Sequence, residues 1–211
     1  NVTRFNRDSH VFSNIQNVVF PKIATLAQEM GHANVRIWSA GCSSGEEVWT
    51  TKVLLANAAE KSPAHRAAML ANATIIGTDI QEEAITQAKL GLYDQDGPYI
   101  QKNMQEMPSD WMSCAFDKVD ASAMPTFDNV AVKKNNSMSK HVYSIKQHLR
   151  AGVDFAAQDI RVVQPKGPFH FILCRHAVFM YFNQPLRAAA LQEMLKRLVP
   201  GGYLVSLLLC E

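Results

Sequence analysis

A loop of small residues followed by two acids, Gly41-Cys42-Ser43-Ser44-Gly45-Glu46-Glu47, has the composition of a ligand-binding turn. Its small side chains let a ligand approach the backbone closely, and the helix expected from Glu46 onward begins with unpaired N–H groups. An anionic pyrophosphate would suit those N–H groups but not two neighbouring carboxylates. A cationic or zwitterionic ligand fits better, and S-adenosylmethionine (SAM) carries a sulfonium and an ammonium group. The two glutamates could instead only favour the helix start through the macrodipole.

Two further acids follow predicted strands. Asp79 ends the apolar run 74–78, where an acidic residue typically accepts hydrogen bonds from ribose hydroxyls, although Asp is also a common helix N-cap. Asp159 follows the run 153–157 and could meet an adenine edge or cap the next turn. Both positions are therefore candidates for binding a nucleoside.

Basic residues offer a different chemistry. Arg175 directly follows the apolar run 169–174, and a guanidinium at that rim is suited to binding a carboxylate unless it is a solvated surface arginine. His176 could act as a general base, although most lone histidines have no catalytic role. Residues 1–7 place polar and basic groups just before a predicted helix, which alone indicates little.

Alternating strands and helices would position these residues. Apolar runs predict five strands at 35–40, 74–78, 153–157, 169–174 and 203–209. Helices are predicted from Glu46, over 81–90, and after Asn183, which can serve as N-cap with Pro185 in the first turn. Pro200-Gly201-Gly202 is expected to end the last of these helices. This alternation predicts an α/β fold, with a mostly parallel sheet covered by helices on both faces. Ligands of such sheets bind outside the carboxyl ends of the strands.

Two segments depart from the alternation. Helical spacing over 12–19 meets Pro21, which is expected to interrupt the helix, and a second helix should stop at Gly31. The middle of the chain, 94–150, is polar and weakly periodic. Within it, 130–137 and 141–145 could form a β-hairpin, or the whole stretch could be a surface insertion with little regular structure.

Bulk properties exclude several classes of protein. The net charge of +2 over 211 residues gives no electrostatic argument for binding nucleic acid. The four cysteines are widely spaced, which disfavours a zinc site or a disulfide framework, so no metal is expected and a reducing cytosol is the simplest setting. The sequence has no apolar run long enough to span a bilayer.

Five motifs, in a fixed order, carry the most specific signal. They are residues 1–7 (NVTRFNR), 36–47 (RIWSAGCSSGEE), 76–80 (IGTDI), 172–176 (ILCRH) with Tyr181-Phe182, and 200–202 (PGG). They resemble the N-x-T-x-F-F-R, R-x-W-S-A-G-C-S-x-G-E-E, A-T-D-I, F-C-R-N with Y-F, and P-G-G motifs of the CheR-type chemoreceptor methyltransferases. The second motif is long, and the similarity covers nearly the whole chain.

The resemblance implies a Rossmann-like class I SAM-dependent methyltransferase. Its catalytic domain would span 1–211, with a small β-subdomain inserted within 94–150 and without the family's N-terminal helical domain or the final strands of its sheet. Arg7 and Tyr181 are implied as catalytic residues at the transfer site. The implied SAM-binding residues are Asn1, Thr3, Arg7, Ala40, Glu47, Asp79, Asp159, Ile160, Arg175 and His176.

The implied reaction is transfer of the methyl group of SAM to glutamate carboxylates of chemoreceptor cytoplasmic domains during chemotaxis adaptation, leaving S-adenosylhomocysteine (SAH). The protein would be cytoplasmic and not inserted in the membrane. A glutamate carboxylate, with an unperturbed pKa of about 4.3, is already ionised near pH 7 and needs no general base. The protein must hold oxygen, methyl carbon and sulfur in line, which is catalysis by positioning. Our hypothesis is that Arg7 orients the carboxylate and Tyr181 helps to align it.

Several positions depart from the family pattern. His176 and Asp159 stand where asparagine is usual, and Asn6 replaces the second phenylalanine of the opening motif. Val48-Trp49-Thr50 follows the G-E-E where proline, tyrosine and serine are common. One extra residue before Tyr181 leaves Phe179 as an alternative occupant of its site. Two other functions therefore stay open: a SAM-binding sensor without turnover, and a SAM-dependent enzyme acting on another carboxylate or protein.

Overall fold

A helical segment opens the part of the chain that the computed structural model describes, which comprises residues 3–94, 111–120 and 141–206. It runs through α1 (Ser9–Asn14), a π-helical turn (Ile15–Val19) and α2 (Phe20–Glu29). The prediction that Pro21 interrupts the helix is wrong. Pro21 stands in the first turn of α2, where a missing N–H is tolerated, and the irregularity falls in the π-helical turn before it.

Two sheets form the strand framework of the described residues. The larger contains β1 (Arg36–Ala40), β2 (Thr74–Asp79), β6 (Val153–Ala157), β7 (Phe169–Cys174) and β8 (Leu198–Ser206). The smaller contains β3 (Leu92–Asp94), β4 (Phe116–Asp120) and β5 (His141–Ile145). The larger sheet is parallel throughout, in the order β6-β2-β1-β7-β8, and the smaller is antiparallel, in the order β3-β5-β4. The predicted α/β class with a mostly parallel sheet is confirmed.

Helices cover both faces of the larger sheet. Because successive strand residues point to opposite faces, Phe171 packs in a core cluster with α2 and α3 (Glu46–Glu60), while Ile172 packs in a second cluster with the last described helix, α9 (Gln184–Leu195). Asn183 caps that last helix by accepting a hydrogen bond of 3.2 Å from the N–H of Leu186, as predicted. The remaining described helices are α4 (Ala64–Ala71), α5 (Glu82–Leu90), α6 (Trp111–Ala115), α7 (Gln147–Arg150) and α8 (Val178–Tyr181).

Strand β8 corrects one prediction. The sequence placed Pro200-Gly201-Gly202 as the stop of the preceding helix, but α9 ends at Leu195 and β8 runs through the motif. The register with β7 shifts between Phe169 and Phe171, and such a bulge accommodates a residue that lacks an N–H. Residues 207–209 of the predicted strand lie outside the described residues.

Arg150, at the end of α7, connects the smaller sheet to α5, which packs on β2 and β6 of the larger sheet. Its guanidinium donates hydrogen bonds of 3.1 and 2.8 Å to the carbonyls of Lys89 and Leu90 at the end of α5, and one of 3.0 Å to the carbonyl of Ile145 in β5. The second arm of the suggested hairpin corresponds to β5, which pairs with β3 and β4; the first arm, 130–137, lies outside the described residues. Within 3–94, 111–120 and 141–206, the helices are too short or too polar to cross a bilayer.

Candidate functional site

A cavity of about 570 Å³ opens at the carboxyl edge of the larger sheet, beyond the ends of β1, β2, β6 and β7. Its volume lies within the range of about 300–1,000 Å³ that is usual for small-molecule sites. The cavity brings together most of the predicted site residues. Those that line it are Thr3, Arg7, Glu47, Asp79, Asp159, Ile160, Arg175, His176 and Tyr181.

Two predicted residues fall elsewhere. Ala40 is fully buried and packs in the core cluster around Trp38 and Ile172, so among the described residues the wall of the cavity begins with its neighbour Gly41. The prediction that Ala40 lines the pocket is corrected to that extent, because the pleat of β1 turns its side chain into the core. Asn1 lies outside the described residues.

Gly41 allows the turn from β1 into the loop to pass close to the segment after β7. Its φ is +78°, and a Cβ at this position would lie 2.4 Å from the Cβ of Ala177, so a side chain does not fit. The N–H of Gly41 donates a hydrogen bond of 2.7 Å to the carbonyl of Thr78 at the end of β2. The loop is thereby held against two neighbouring strand ends, as a backbone cradle for a ligand requires.

The carboxylate of Asp79 is held in a fixed orientation. Its Oδ2 accepts a hydrogen bond of 2.8 Å from the N–H of Ser43, and its Oδ1 accepts one of 3.0 Å from the N–H of Gln81. Each carboxylate oxygen has a further lone pair, and the side chain lines the cavity. An acceptor of this kind can receive hydrogen bonds from vicinal hydroxyls such as those of a ribose.

Glu47 supplies a second carboxylate to the cavity wall. Its Oε1 accepts a hydrogen bond of 2.7 Å from the Ser39 hydroxyl, and its Oε2 lies 3.2 Å from Nη1 of Arg175. The side chain is only 15% exposed. Negative charge here suits the ammonium group of an amino-acid ligand.

Glu46 has a different environment from its neighbour. It is 2% exposed and accepts hydrogen bonds from Ser44, at 2.9 Å, and from the side chain of Thr3. Burial raises the pKa of Glu46 to about 7. Successive helical residues point about 100° apart, so of the two glutamates Glu47 lines the cavity and Glu46 does not. The sequence analysis considered the two acids as one pair, whereas the structure gives them separate environments.

Arg175 lies at the centre of an ionic network. Its side chain is 1% exposed, so the reading of a solvated surface arginine is wrong. Nη2 is 2.7 Å from Oδ2 of Asp8 and donates to the carbonyl of Arg7 at 2.5 Å, and the guanidinium stacks 4.8 Å above the ring of Phe12. Arg175 therefore connects the end of β7 to residues 3–8, the opening segment that precedes α1. The sequence alone did not indicate this connection.

Asp8 is the network residue that sequence reasoning missed. An acid directly before a helix is ordinarily interpreted as an N-cap, yet among the described residues the side chain of Asp8 makes no cap hydrogen bond. Its Oδ2 instead lies 2.9 Å from Nε2 of His176 as well as 2.7 Å from Arg175. His176, at φ +54°, thus takes part in the wall of the cavity as a hydrogen-bond partner of Asp8.

Asp159 caps its own turn at the wall of the cavity. The N–H of Arg161 lies 2.9 Å from its carboxylate, and the Arg161 guanidinium lies 2.6–3.0 Å from its two oxygens. These hydrogen bonds lower the pKa of Asp159. Ile160 between them adds an apolar surface to the wall.

Tyr181 and Phe179, the two candidates for the transfer site, differ in exposure. Phe179 is 8% exposed and packs in the core with Trp38, whereas Tyr181 is 62% exposed and lines the cavity. Arg7 lines the same cavity from the opening segment. The wall also includes residues that were not predicted as site residues, among them Arg4, Ile80, Gln158, Met180 and Phe182.

These features define a Rossmann-like domain with a nucleoside-sized, acid-lined cavity at its carboxyl edge. A family model described as "CheR methyltransferase, SAM binding domain" matches residues 1–119 and 119–206. The chain therefore belongs to this family. That membership confirms the predicted class I methyltransferase fold and identifies SAM as the cofactor.

Two curated relatives are similar along nearly the whole chain. The "Chemotaxis protein methyltransferase" of Borreliella burgdorferi is 25% identical over 209 residues, covering 97% of this chain and 62% of that protein. The "Probable chemotaxis protein methyltransferase" of Rhizobium etli is 25% identical over 209 residues, covering 97% of this chain and 65% of that protein. This chain thus spans less than two thirds of the length of each. A solved SAM-dependent methyltransferase from Methanosarcina mazei has a TM-score of 0.39 and 16% identity, covering 83% of this chain and 52% of that one.

The residues of the cavity fit SAM. Asp79 presents oriented acceptor oxygens for hydroxyl groups, and Glu47 presents a carboxylate suited to an ammonium. At Gly41 the backbone approaches closely where a Cβ would collide with Ala177. The cavity therefore offers both acceptors and space to a cationic nucleoside, in agreement with the first interpretation of the loop.

Proposed function

We propose that this chain transfers the methyl group of SAM to glutamate side chains in the cytoplasmic domains of bacterial chemoreceptors, forming glutamate methyl esters. Support comes from its membership of the CheR family and from relatives named as chemotaxis protein methyltransferases. The protein would act in the cytoplasm, where those receptor domains lie, during adaptation.

One observation carries the proposal: acids for the cofactor and a cation for the acceptor line one cavity. Glu47 and Asp79 belong to its wall at the ends of β1 and β2, and Arg7 belongs to its wall from the opening segment. When bound, SAM supplies an electrophilic methyl group on a positively charged sulfur. Arg7 is suited to receiving the acceptor, because a guanidinium binds a carboxylate through two parallel hydrogen bonds.

The residues of the chain then act by orientation. With SAM held by Glu47 and Asp79, the acceptor carboxylate would form a carbon–oxygen bond as the carbon–sulfur bond of SAM breaks, leaving SAH. No proton would move, so no general base would be needed. Arg7 would direct one oxygen of the carboxylate, and Tyr181 would align it from α8. An arginine that bound the carboxylate too tightly would stabilise the ground state as much as the transition state. Orientation by Arg7 is therefore more important than its charge.

Methyl transfer can be measured directly. The protein is incubated with SAM carrying a labelled methyl group and with a panel of receptor cytoplasmic domains, and label released as methanol by mild alkali is counted. Arg7→Ala should lower the transfer rate about a hundredfold, as expected when a reacting group is misplaced, with SAH binding largely retained. The transfer rate of Arg7→Lys should lie between those of the wild type and Arg7→Ala, since a lysine keeps the charge but lacks the bidentate geometry. Arg66→Ala on α4, outside the cavity, is the matched control.

The outcomes separate the proposal from its alternatives. Base-labile label on a receptor, lost when its glutamates are replaced, would support glutamate methylation. SAH binding by calorimetry without transfer to any receptor would instead favour a sensor or an enzyme with another acceptor. Full transfer by a folded Arg7→Ala variant would show that the assigned role of Arg7 is wrong.

A further inference from the structure

The carboxylate of Asp8 joins two residues that are 167 and 168 positions away in the sequence. Oδ2 of Asp8 lies 2.7 Å from Nη2 of Arg175 and 2.9 Å from Nε2 of His176. Arg175 itself is anchored from the other side by Glu47, at 3.2 Å. The opening segment is therefore attached to the end of β7 through a charged group and not only through apolar packing.

Arg7 is held on both sides by these contacts. The N–H of Asn6 donates a hydrogen bond of 3.1 Å to Oγ1 of Thr50 in α3, and the carbonyl of Arg7 accepts one of 2.5 Å from Arg175. One residue earlier, the ring of Phe5 is buried with its centroid 4.7 Å from that of Tyr93. The backbone that carries Arg7 is thus fixed between α3, β7 and the smaller sheet.

The backbone on both sides of Arg7 is left-handed. Asn6 has φ +48° and Asp8 has φ +60°, a region that few non-glycine residues adopt and that Asn and Asp tolerate best. Residues in this region persist where the surrounding structure holds them, and they concentrate at functional sites. The two left-handed residues flank Arg7 directly, so they determine the direction in which its side chain leaves the backbone.

We propose that Asp8 is a positioning residue, whose bridge to Arg175 and His176 fixes the direction in which Arg7 enters the cavity. The inference rests on the proposed function for the identity of the acceptor, since Arg7 is there assigned to the acceptor carboxylate. Asp8 itself does not line the cavity among the described residues, so it acts through Arg7 and not by contact with the reactants.

The charge of Asp8 supports this role. Burial by itself raises the pKa of Asp8, but hydrogen bonds from His176 and Arg175 outweigh it, and the net pKa lies below its usual value. The carboxylate is therefore ionised at neutral pH and its two hydrogen bonds are charge-assisted, which makes them stronger than neutral ones. Loss of the charge would weaken the attachment of the opening segment.

Asp8→Asn isolates that charge. Asparagine has nearly the same size and tolerates the left-handed conformation, and Arg175 remains neutralised by Glu47, so the variant is expected to fold. Asp8→Gly, which keeps the backbone freedom and removes the side chain, is the second variant. Asp154→Asn, at an exposed position of β6, is the matched control.

Two readouts test the proposal. In the first, hydrogen exchange of the opening segment should become about tenfold faster or more in both Asp8 variants, as expected when a charge-assisted hydrogen bond is lost, with β1 and β7 unchanged. In the second, Asp8→Asn should lower kcat for methyl transfer about tenfold or more in the wild-type background. It should cause no further loss in an Arg7→Ala background, because two residues that act as one unit are not additive.

Each result has a definite meaning. Unchanged exchange in the opening segment, or additive losses in the double variant, would overturn the role of Asp8 in positioning Arg7. If the wild-type protein methylates no receptor, the proposed function fails, and the exchange experiment still decides whether Asp8 holds the segment. Faster exchange together with non-additive loss is the result expected, with Asp154→Asn indistinguishable from wild type in both.

Discussion

Ser39, near the end of β1, donates a hydrogen bond of 2.7 Å from its hydroxyl to the carboxylate of Glu47 in the first turn of α3. The same carboxylate meets Arg175, 3.2 Å away, at the end of β7. The end of β1, the start of α3 and the end of β7 are therefore joined at one acid in the cavity wall. The Glu47 carboxylate can therefore interact both with Arg175 and with a cationic ligand in the cavity.

Glu47→Gln should lower the affinity for SAH by about ten- to a hundredfold, because a hydrogen bond to a charged group contributes about 1.5–3 kcal/mol. Ser39→Ala should have a smaller effect, about fivefold, since it removes only the group that orients the carboxylate. Isothermal calorimetry with SAH measures both. Glu60→Gln, an exposed acid at the end of the same helix, is the control, and an equal loss in that variant would contradict a specific role for Glu47.

Gly41→Ala should reduce SAH affinity at least tenfold, because the new Cβ would lie 2.4 Å from that of Ala177 at φ +78° and the loop would have to move. Ala177→Gly in the same chain should restore part of the affinity by removing the collision, although the strain of φ remains. Gly31→Ala is a useful comparison, since its φ is +67° but no described atom lies within 4 Å of its added Cβ. It should destabilise the fold without changing SAH binding. If all three variants bind SAH with the same affinity, the close approach to Ala177 is not the reason for a glycine at position 41.

Much of the fold could be predicted from the sequence because the central strands β1 and β7 are buried on both faces and, like their neighbours, form short apolar runs. The starts and ends of β1, β2, β6 and β7 were located to within one residue. The path of β8 through Pro200 and the pairing of β5 with β3 and β4 were not, because both depend on register. Register is set by contacts between distant segments, which local composition does not report.

The site was predictable where a residue's place follows from a strand end, as for Asp79 and Arg175. It was not predictable for Asp8, which the local pattern assigns to a helix cap. Nor did local pattern separate Glu46 from Glu47, since the difference of one helical position decides between the core and the cavity. In both cases the partners, Arg175 and Thr3, come from remote parts of the chain.

Glu46 should make the stability of the protein fall as pH rises. Its pKa is about 7 in the folded chain against 4.5 when exposed, so the unfolded state loses its proton first. The contribution is fully present below pH 4.5 and is lost as pH rises through 7, a change of about 3 kcal/mol. The glutamine in Glu46→Gln does not titrate, so the variant should not lose this stability. Between pH 4.5 and 8 its free energy of unfolding should therefore rise by about 3 kcal/mol relative to that of wild type.

Chemical denaturation at pH 4.5, 6 and 8 measures the difference. Glu60→Gln again serves as control, because an exposed carboxylate at the other end of α3 should give a curve parallel to wild type. A Glu46→Gln curve that is also parallel to wild type would show that Glu46 titrates as it does in the unfolded chain.

His170, near the amino ends of the strands of the larger sheet, should have the opposite effect on stability: the protein should lose stability as pH falls. The N–H of Arg36 donates a hydrogen bond of 2.9 Å to Nδ1 of His170, so His170 carries its proton on Nε2 and donates it to Nδ1 of His32, also at 2.9 Å. Burial, and then the neighbouring His32, lower the pKa of His170 to about 4. A second proton on Nδ1 would face the N–H of Arg36, which explains why the neutral ring is favoured.

Because the folded pKa lies below the unfolded one, this contribution to stability is present above pH 6.5 and is lost as pH falls towards 4, by about 2–3 kcal/mol. In His170→Asn the amide oxygen can still accept from Arg36 but does not titrate, so its stability should change less between pH 7 and 4.5 than that of wild type. His148→Asn, an exposed histidine on α7, should keep the wild-type pH dependence. If His170→Asn keeps it as well, the acid sensitivity arises from other groups, and His170 contributes to packing alone.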